Sequence, residues 1–469
     1  MKKNNFKPTE EMKNYFNITE NMLKYADNQC LCPFCFGKFT PLTTAFRVAQ
    51  ESICSIMHYE TLGDKGKEAE LPYMEANDEV YEKFWKQYPG SETLDVESRA
   101  VSRRPVMHML LENHLRGRFV ADKDGFLAGM IDSKGNKSDI RICPHCHNQL
   151  PFNFGKHPVK YIAIVGITSS GKTVYLSQFL KGLYNNLSDI GFFQVDGMGD
   201  AENFWKLNAV KKGNRLPMGN VTDKLTLPIA ITIQNEKNEV YTLVFYDIAG
   251  ENCVKPDQMK KYGPFIVNTD GIIMIVDPSQ FPGLLSDTDD TEDETINPGK
   301  VLEAMYHAFV AAKCKEGKCD VPIAVALSKS DLLRPNFQYR NYQVNMFQNI
   351  DYTLYKPKGF PYNDYLNISA EVERLLKNVR TGRTFVDSVK KSFTKNDFFA
   401  FSALNVEPVA EKDKERGDIY YVLEEDPETV RIEEPFNWLL YQLGILKKTE
   451  KVEEIQKPKK LLGIFGGNR

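Results

Sequence analysis

The sequence contains no apolar run of about 18 residues, the length a helix needs to cross a bilayer. A helical membrane span is therefore excluded. The opening stretch MKKNNFKPTEEMKNYF carries lysines but no apolar segment behind them, so it does not read as an export signal. Neither sign of charge is in excess. Lys and Arg number 60, Asp and Glu number 63, and the net charge is −3. A whole-surface grip on a polyanion thus has no support from net charge, and nucleic acid stays open as a partner only through a local basic patch. No internal repeat is found.

At roughly 150 residues per domain, 469 residues suggest about three units, large enough to fold without disulfide staples. Four of the nine cysteines form two CPxC pairs, Cys32/Cys35 and Cys143/Cys146. With no export signal, that pattern favours metal over disulfides and a cytoplasmic location. Each pair sets two thiolates on one tight turn, and two such turns close a tetrahedron around Zn²⁺. Four thiolates leave no open position, so a structural role is expected. The 107 residues between Cys35 and Cys143 should fold as a lobe of their own. Helices are expected near 45–60, 75–88 and 104–116, and strands at Gly125–Ile131 and Ser138–Ile142. His145 and His147 are expected to be bystanders. Cys30 is badly spaced for the knuckle, and Cys314 and Cys319 read as loop thiols.

From Lys160 the texture changes to short apolar runs alternating with helical patterns, which implies an α/β sheet. Lys160–Gly166, Gly271–Asp277, Val321–Leu327 and Phe398–Ser402 read as strands. Leu225–Gln234 and Val240–Asp247 are separated by only five polar residues, too few for a crossover helix, and should pair as an antiparallel hairpin. Pro435 opens a last helix, with Gly444 placed to end it. The acidic run 286–294 reads as a solvated loop, and 334–365 and 405–432 as irregular insertions. Four segments follow: 1–28, a cysteine lobe at 29–157, an α/β domain at 158–446 and a charged tail at 447–469.

Gly166-Ile-Thr-Ser-Ser-Gly171-Lys172-Thr173 fits the phosphate-loop pattern in full, after a strand and before a helix. Its backbone, Gly166, Ser169, Ser170 and Gly171 with Lys172, Thr173 and Val174 at the helix start, is suited to cradling phosphates. Lys172 would bridge β- and γ-phosphate oxygens, and Thr173 would bind Mg²⁺. Asp247-Ile-Ala-Gly250 ends a strand, where Asp247 can hold the Mg²⁺ through water and the Gly250 amide can meet the γ-phosphate. Ser328-Lys329-Ser330-Asp331 follows a strand and looks like a base-reading loop. A carboxylate there accepts from guanine N1–H and the 2-amino group. Ser402-Ala403-Leu404 would back the base with an amide.

In this order the motifs resemble the TRAFAC clade of P-loop GTPases, across roughly 158–446. More narrowly, CPFCFGKFTPLTTAFR, CPHCHNQLP, FYDIAGE and EEPFNWLLYQLG resemble bacterial double-GTPase-type proteins carrying an N-terminal zinc ribbon. The resemblance implies a Ras-like, mostly parallel sheet with one antiparallel hairpin, preceded by a zinc-ribbon lobe with a large insertion. It implies binding of GTP and GDP with Mg²⁺ and Zn²⁺, Mg-dependent GTP hydrolysis as a molecular switch, and a setting in bacterial conflict or stress systems. The chain departs from the pattern at three points. Ser328 stands where Asn or Thr is usual, which is expected to loosen its tie to the phosphate loop. Glu251 stands where a water-orienting glutamine is usual and takes the catalytic position beside Lys172. The switch threonine, a further Mg²⁺ ligand, is assigned to Thr222, with Thr226 as runner-up. Glu251 also sustains an alternative: a zinc-lobe adaptor whose nucleotide site is structural or hydrolysis-deficient. A protein partner is expected at the zinc lobe or the tail. The basic stretch Arg99, Arg103, Arg104, Arg116 and Arg118, near Phe119, reads as a solvated face.

Overall fold

Unbroken apolar runs are the mark of strands buried on both faces, and three of them, Ile162–Val165, Gly271–Val276 and Ile323–Leu327, lie at the centre of this protein. In the computed structural model, β1 (Val159–Gly166), β2 (Phe192–Gln194), β3 (Ile229–Asn235), β4 (Val240–Ala249), β5 (Gly271–Val276), β6 (Ile323–Leu327) and β7 (Asn396–Ala400) form one mixed sheet. Their order is β2-β3-β4-β1-β5-β6-β7. β4, β1, β5, β6 and β7 run parallel. β3 is antiparallel to both β4 and β2. The structure describes residues 7–54, 73–87, 100–112, 114–167, 169–195, 199–217, 227–249, 251–254, 256–285, 297–312, 314, 317–335, 345–413 and 418–452.

The hairpin starts at Ile229, later than the expected Leu225, because Leu227 and Pro228 make no strand; residues 225 and 226 lie outside the described residues. Proline has no N–H to give a ladder. Strand alternation sends side chains to two faces. Ile162, Ile164, Leu243, Phe245, Ile273 and Ile275 pack on α1 (Lys172–Asp189) and on the final helix Glu434–Gln442. Tyr161, Ala163, Val165, Val244, Tyr246 and Met274 face α2 (Pro256–Val267), α3 (Pro298–Ala312) and the cysteine knuckles, in one continuous core. The final helix is α6, after α4 (Tyr362–Lys377) and α5 (Arg380–Ser392). Pro435 lies in its first turn, and Gly444 follows it at φ 73°. Asn186 of α1 and Asn437 of α6 exchange amide hydrogen bonds at 2.9 and 3.1 Å, fixing the two helices against each other.

The segment ahead of the sheet is built differently from expectation. Ala45–Arg47 and Val106–Met107 are short strands that pair with each other, and Arg141–Ile142 flanks the first of them. Helices expected at 45–60 and 104–116 are therefore replaced, among the described residues, by strands and a 3₁₀ turn at Gln50–Ser52. The expected middle helix is present as Glu79–Trp85, capped by the Asp78 carboxylate. A hairpin, Val409–Lys412 with Ile419–Val422, lies in the segment read as irregular. At the other end, Lys448–Thr449 pairs with Phe360–Pro361, and Val452 N–H donates to Leu354 O, so residues 448–452 of the segment read as a charged tail pack on the α/β unit. No helix among the described residues is long and apolar enough to cross a membrane.

Trp438 of α6 is fully buried, and its indole donates to Tyr365 Oη at 2.9 Å and to Asp397 at 3.1 Å. Trp438→Ala should lower stability by about 3–5 kcal/mol. Trp438→Phe keeps most of the packing and should cost about 1–2 kcal/mol, mainly the lost donor. Urea unfolding followed by circular dichroism measures both.

Candidate functional site

β1 delivers its C-terminal end to a tightly wound loop. A Cβ on Gly166 would lie 2.6 Å from Ile275 O and 2.7 Å from Ser170 Oγ, so only glycine fits. Ser169 and Gly171 take left-handed φ values of 67° and 86°. Such alternation turns successive N–H groups inward. Among the described residues, nothing lies within 4 Å of where a Cβ on Gly171 would sit. Lys172 begins α1, and its ammonium folds back to donate to Gly166 O at 2.6 Å and Ile167 O at 3.3 Å. Thr173 and Val174 follow in the first turn, Thr173 buried. Thr168 lies outside the described residues.

Because the strands are parallel, the other predicted segments emerge at the same edge. Asp247 is buried near the end of β4, in register with Ile164 of β1. By alternation it shares the α1 face with Phe245, the face on which Thr173 begins its helix. Gly250 and Thr222 lie outside the described residues, as does Thr226. Glu251 opens the short helix Glu251–Val254. Ser330 to Leu333 form a 3₁₀ turn that includes Asp331, preceded by Lys329 at φ 50°. Ser402 and Ala403 are buried beyond β7. Ser330 N–H donates to Phe401 O, and Gln178 of α1 donates to Ala403 O at 3.3 Å.

The expected looseness at Ser328 is not found. Its one hydroxyl hydrogen lies between Ser170 O at 2.9 Å and Val276 O at 3.1 Å, so the shorter side chain reaches the 166–173 turn directly. Sequence reasoning also passed over Asp277, just beyond β5. Its carboxylate accepts from Ser279 N–H at 2.9 Å and pairs with the Lys329 ammonium. Lys329 donates in turn to Ser169 O at 3.0 Å. One lysine thus ties three loops together. The signal was available: Asp277-Pro278-Ser279 after an apolar strand is a helix-capping pattern.

The second cluster is Cys32, Cys35, Cys143 and Cys146, whose sulfurs all lie within 4.8 Å of one another. Cys32 and Cys146 stand 3.7 Å apart, as do Cys35 and Cys143. A disulfide needs about 2.05 Å. A tetrahedron with Zn–S bonds of about 2.3 Å has edges of about 3.8 Å, which these spacings fit. Hydrogen bonds from Cys143, Cys146 and Cys32 hold Cys35 below the usual thiol range, whereas burial pushes Cys32 above it and the hydrogen bond with Cys146 raises Cys143. The four cysteines are thus a group able to hold a metal ion, consistent with zinc. Burial pushes Cys30 up to about 11, and it stands outside the cluster. His145 turns to Lys38 O at 2.8 Å and His147 to Asp78 at 2.8 Å, so neither ring joins the sulfurs.

The knuckles seat on the sheet. Phe36 meets Phe265 of α2 edge-on at 4.9 Å and lies 5.9 Å from Tyr246 of β4. Tyr161 Oη donates to Leu31 O at 2.6 Å and Tyr246 Oη to Pro33 O at 2.9 Å. Burial pushes both phenols up, which keeps them donors. In the basic stretch, Arg104 donates to Val48 O, Arg116 lies over Phe16, and Phe119 is buried against that same ring. Phe119 is therefore not available to stack on a base.

No protein-family model matches the chain, and no curated protein matches it either.

Protein purified without chelator should carry one zinc per chain by elemental analysis. Cys35→Ser and Cys146→Ser should each lose it, together with protease resistance of the segment ahead of the sheet, because metal binding and folding of such a site are coupled.

Proposed function

We propose that this protein binds GTP with Mg²⁺ and hydrolyses it as a molecular switch of the P-loop GTPase type, coupled to a zinc-holding lobe that contacts a partner. One observation carries the reading: the phosphate-loop sequence, Asp247, the Ser328–Asp331 turn and Ser402–Ala403 all stand at the C-terminal ends of the parallel strands of one mixed sheet. Ligands of open α/β sheets bind at that edge. In this reading Lys172 holds the β- and γ-phosphates, while Thr173, Asp247 and Thr222 hold the magnesium ion, which would neutralise phosphate charge. Asp331 reads guanine, with Lys329 laying its stem along the base. In the same reading Glu251 and Thr222 would act on the γ-phosphate. Lys329 is already fixed between Asp277 and Ser169, which supports a preformed base-side wall.

Lys172→Ala should weaken GTP binding about 10–100-fold, since hydrogen bonds to charged groups are worth roughly 1.5–3 kcal/mol each. The unaltered protein should prefer GTP over ATP by on the order of 10⁴-fold, because adenine would leave a carboxylate unpaired. Asp331→Asn should exchange GTP for XTP, whose 2-oxo group accepts from the new amide. Competition titrations with the three nucleotides decide this, and equal ATP and GTP affinity would remove the assignment. Phosphate release separates a GTPase from an adaptor with a hydrolysis-deficient site: tight GTP binding without turnover, alone or with partner, would favour the adaptor.

A further inference from the structure

The two cysteine knuckles are copies of one turn. Phe34 N–H donates to Cys32 Sγ at 3.3 Å, and His145 N–H to Cys143 Sγ at 3.3 Å. Phe36 N–H closes on Cys32 O, and His147 N–H on Cys143 O, both at 3.0 Å. Phe36 and His147 take left-handed φ values of 55° and 56°. Cys32 N–H reaches Gly37 O at 3.0 Å, and Cys143 N–H reaches Asn148 O at 2.9 Å. The match breaks at the last position. Cys35 Sγ accepts from the main-chain N–H of Gly37 at 3.4 Å, whereas Cys146 Sγ accepts from the side-chain amide of Asn148 at 3.3 Å.

An amide can turn either end toward a sulfur. Trp85 decides the matter, because an indole N–H only donates. It donates to Asn148 Oδ1 at 2.8 Å, so the NH₂ end faces Cys146. Asn148 is 3% exposed and Trp85 6%, so water does not compete for either group. Trp85 ends the helix Glu79–Trp85, and the Asp78 cap of that helix is held by Arg47 at 2.7 Å and His147 at 2.8 Å. The same indole meets Phe34 of the first knuckle edge-on at 6.5 Å. A helix of the long insertion therefore touches both knuckles.

We propose that Asn148 and Trp85 are positioning residues for the metal held by the four cysteines. Four thiolates around a dication leave excess negative charge on sulfur, and each N–H donor draws some of it off and fixes the sulfur's direction. Asn148 does this for Cys146, and Trp85 holds Asn148 in the productive orientation. The 107-residue insertion is thereby part of the metal centre and not a passenger between its halves. The proposal does not depend on the nucleotide reading.

The test uses the full chain with Trp85→Phe and Asn148→Leu, loaded with Zn²⁺ or Co²⁺. A thiolate relieved of a hydrogen bond has higher-energy electrons. The thiolate-to-cobalt charge-transfer band should therefore move to lower energy in both variants. Iodoacetamide should alkylate Cys146 of the zinc protein roughly 10-fold faster, with Cys35 unchanged, as read by mass spectrometry. Zinc affinity in chelator competition should fall about 10–100-fold, the usual effect of removing an outer-shell partner. Trp85→Phe keeps an aromatic ring against Phe34 and Phe84, so it decides the matter even if Asn148→Leu fails to fold. A wild-type band and a wild-type Cys146 rate in Trp85→Phe would overturn the proposal. So would faster alkylation spread evenly over all four cysteines, which marks loosened packing alone, or an unaltered protein that takes up neither metal.

Discussion

The pairing register of β1 with β4 is the constraint on which the rest of this structure depends. Eight consecutive residues of β1, Val159 to Gly166, stand opposite Thr242 to Ala249. Side chains alternate along a strand, so a slip of one residue would exchange the two faces of β4. In the observed register Tyr246 faces the cysteine knuckles and Asp247 faces the start of α1. Two neighbouring residues thus face two different surroundings, one on each side of the sheet. Burial enforces the register, because Phe245 and Val244 have apolar partners only on their own faces.

The cysteine knuckles and the sheet are joined by two hydrogen bonds from tyrosine phenols to main-chain carbonyls. Leu31 and Pro33 present main-chain carbonyls at the junction, and a buried carbonyl without a donor is costly. Tyr161 and Tyr246 supply those donors while their rings extend the apolar core. Phe36 completes the contact from the left-handed position of the first knuckle. The equivalent position in the second knuckle holds His147, which turns to Asp78 and the inserted helix. One turn, used twice, therefore attaches the cluster to the sheet on one side and to the insertion on the other. Arg47 makes the second attachment affordable in charge, since its guanidinium is buried beside Asp78. Burial alone would raise the Asp78 carboxyl, yet the hydrogen bond from His147 and the charge of Arg47 bring it to about 2.

The edge loops show the same economy. Ser328, Lys329 and Asp277 belong to the ends of two neighbouring strands, and each reaches the next loop through one side chain. The turn at 166–173 depends on glycine at Gly166 and Gly171. Ser328 and Lys329 hold Ser170 O and Ser169 O, which limits how far that turn can relax.

The sequence by itself determined whatever is written in adjacent residues. Buried strands show as apolar runs, and β1, β5 and β6 lie where those runs are. The turn at 166–173 is legible because glycine spacing dictates how its backbone curls, and the knuckles are legible because two cysteine sulfurs on one turn need only CPxC. Local patterning failed where tertiary packing outweighed it. At 104–116 the apolar residues mimic a helix, but Val106 and Met107 gain a buried pairing with Phe46 and Arg47 and stay extended. Two-residue strands carry no periodicity to read. Contacts between distant segments were decided by the tertiary structure alone. Neither the Ser328 tie to Ser170, nor the Lys329–Asp277 pair, nor the placing of Trp85 over Asn148 has a signature in sequence. Each depends on which surfaces two remote stretches present once the sheet and the cysteine cluster have closed, and that geometry does not exist until the chain is packed.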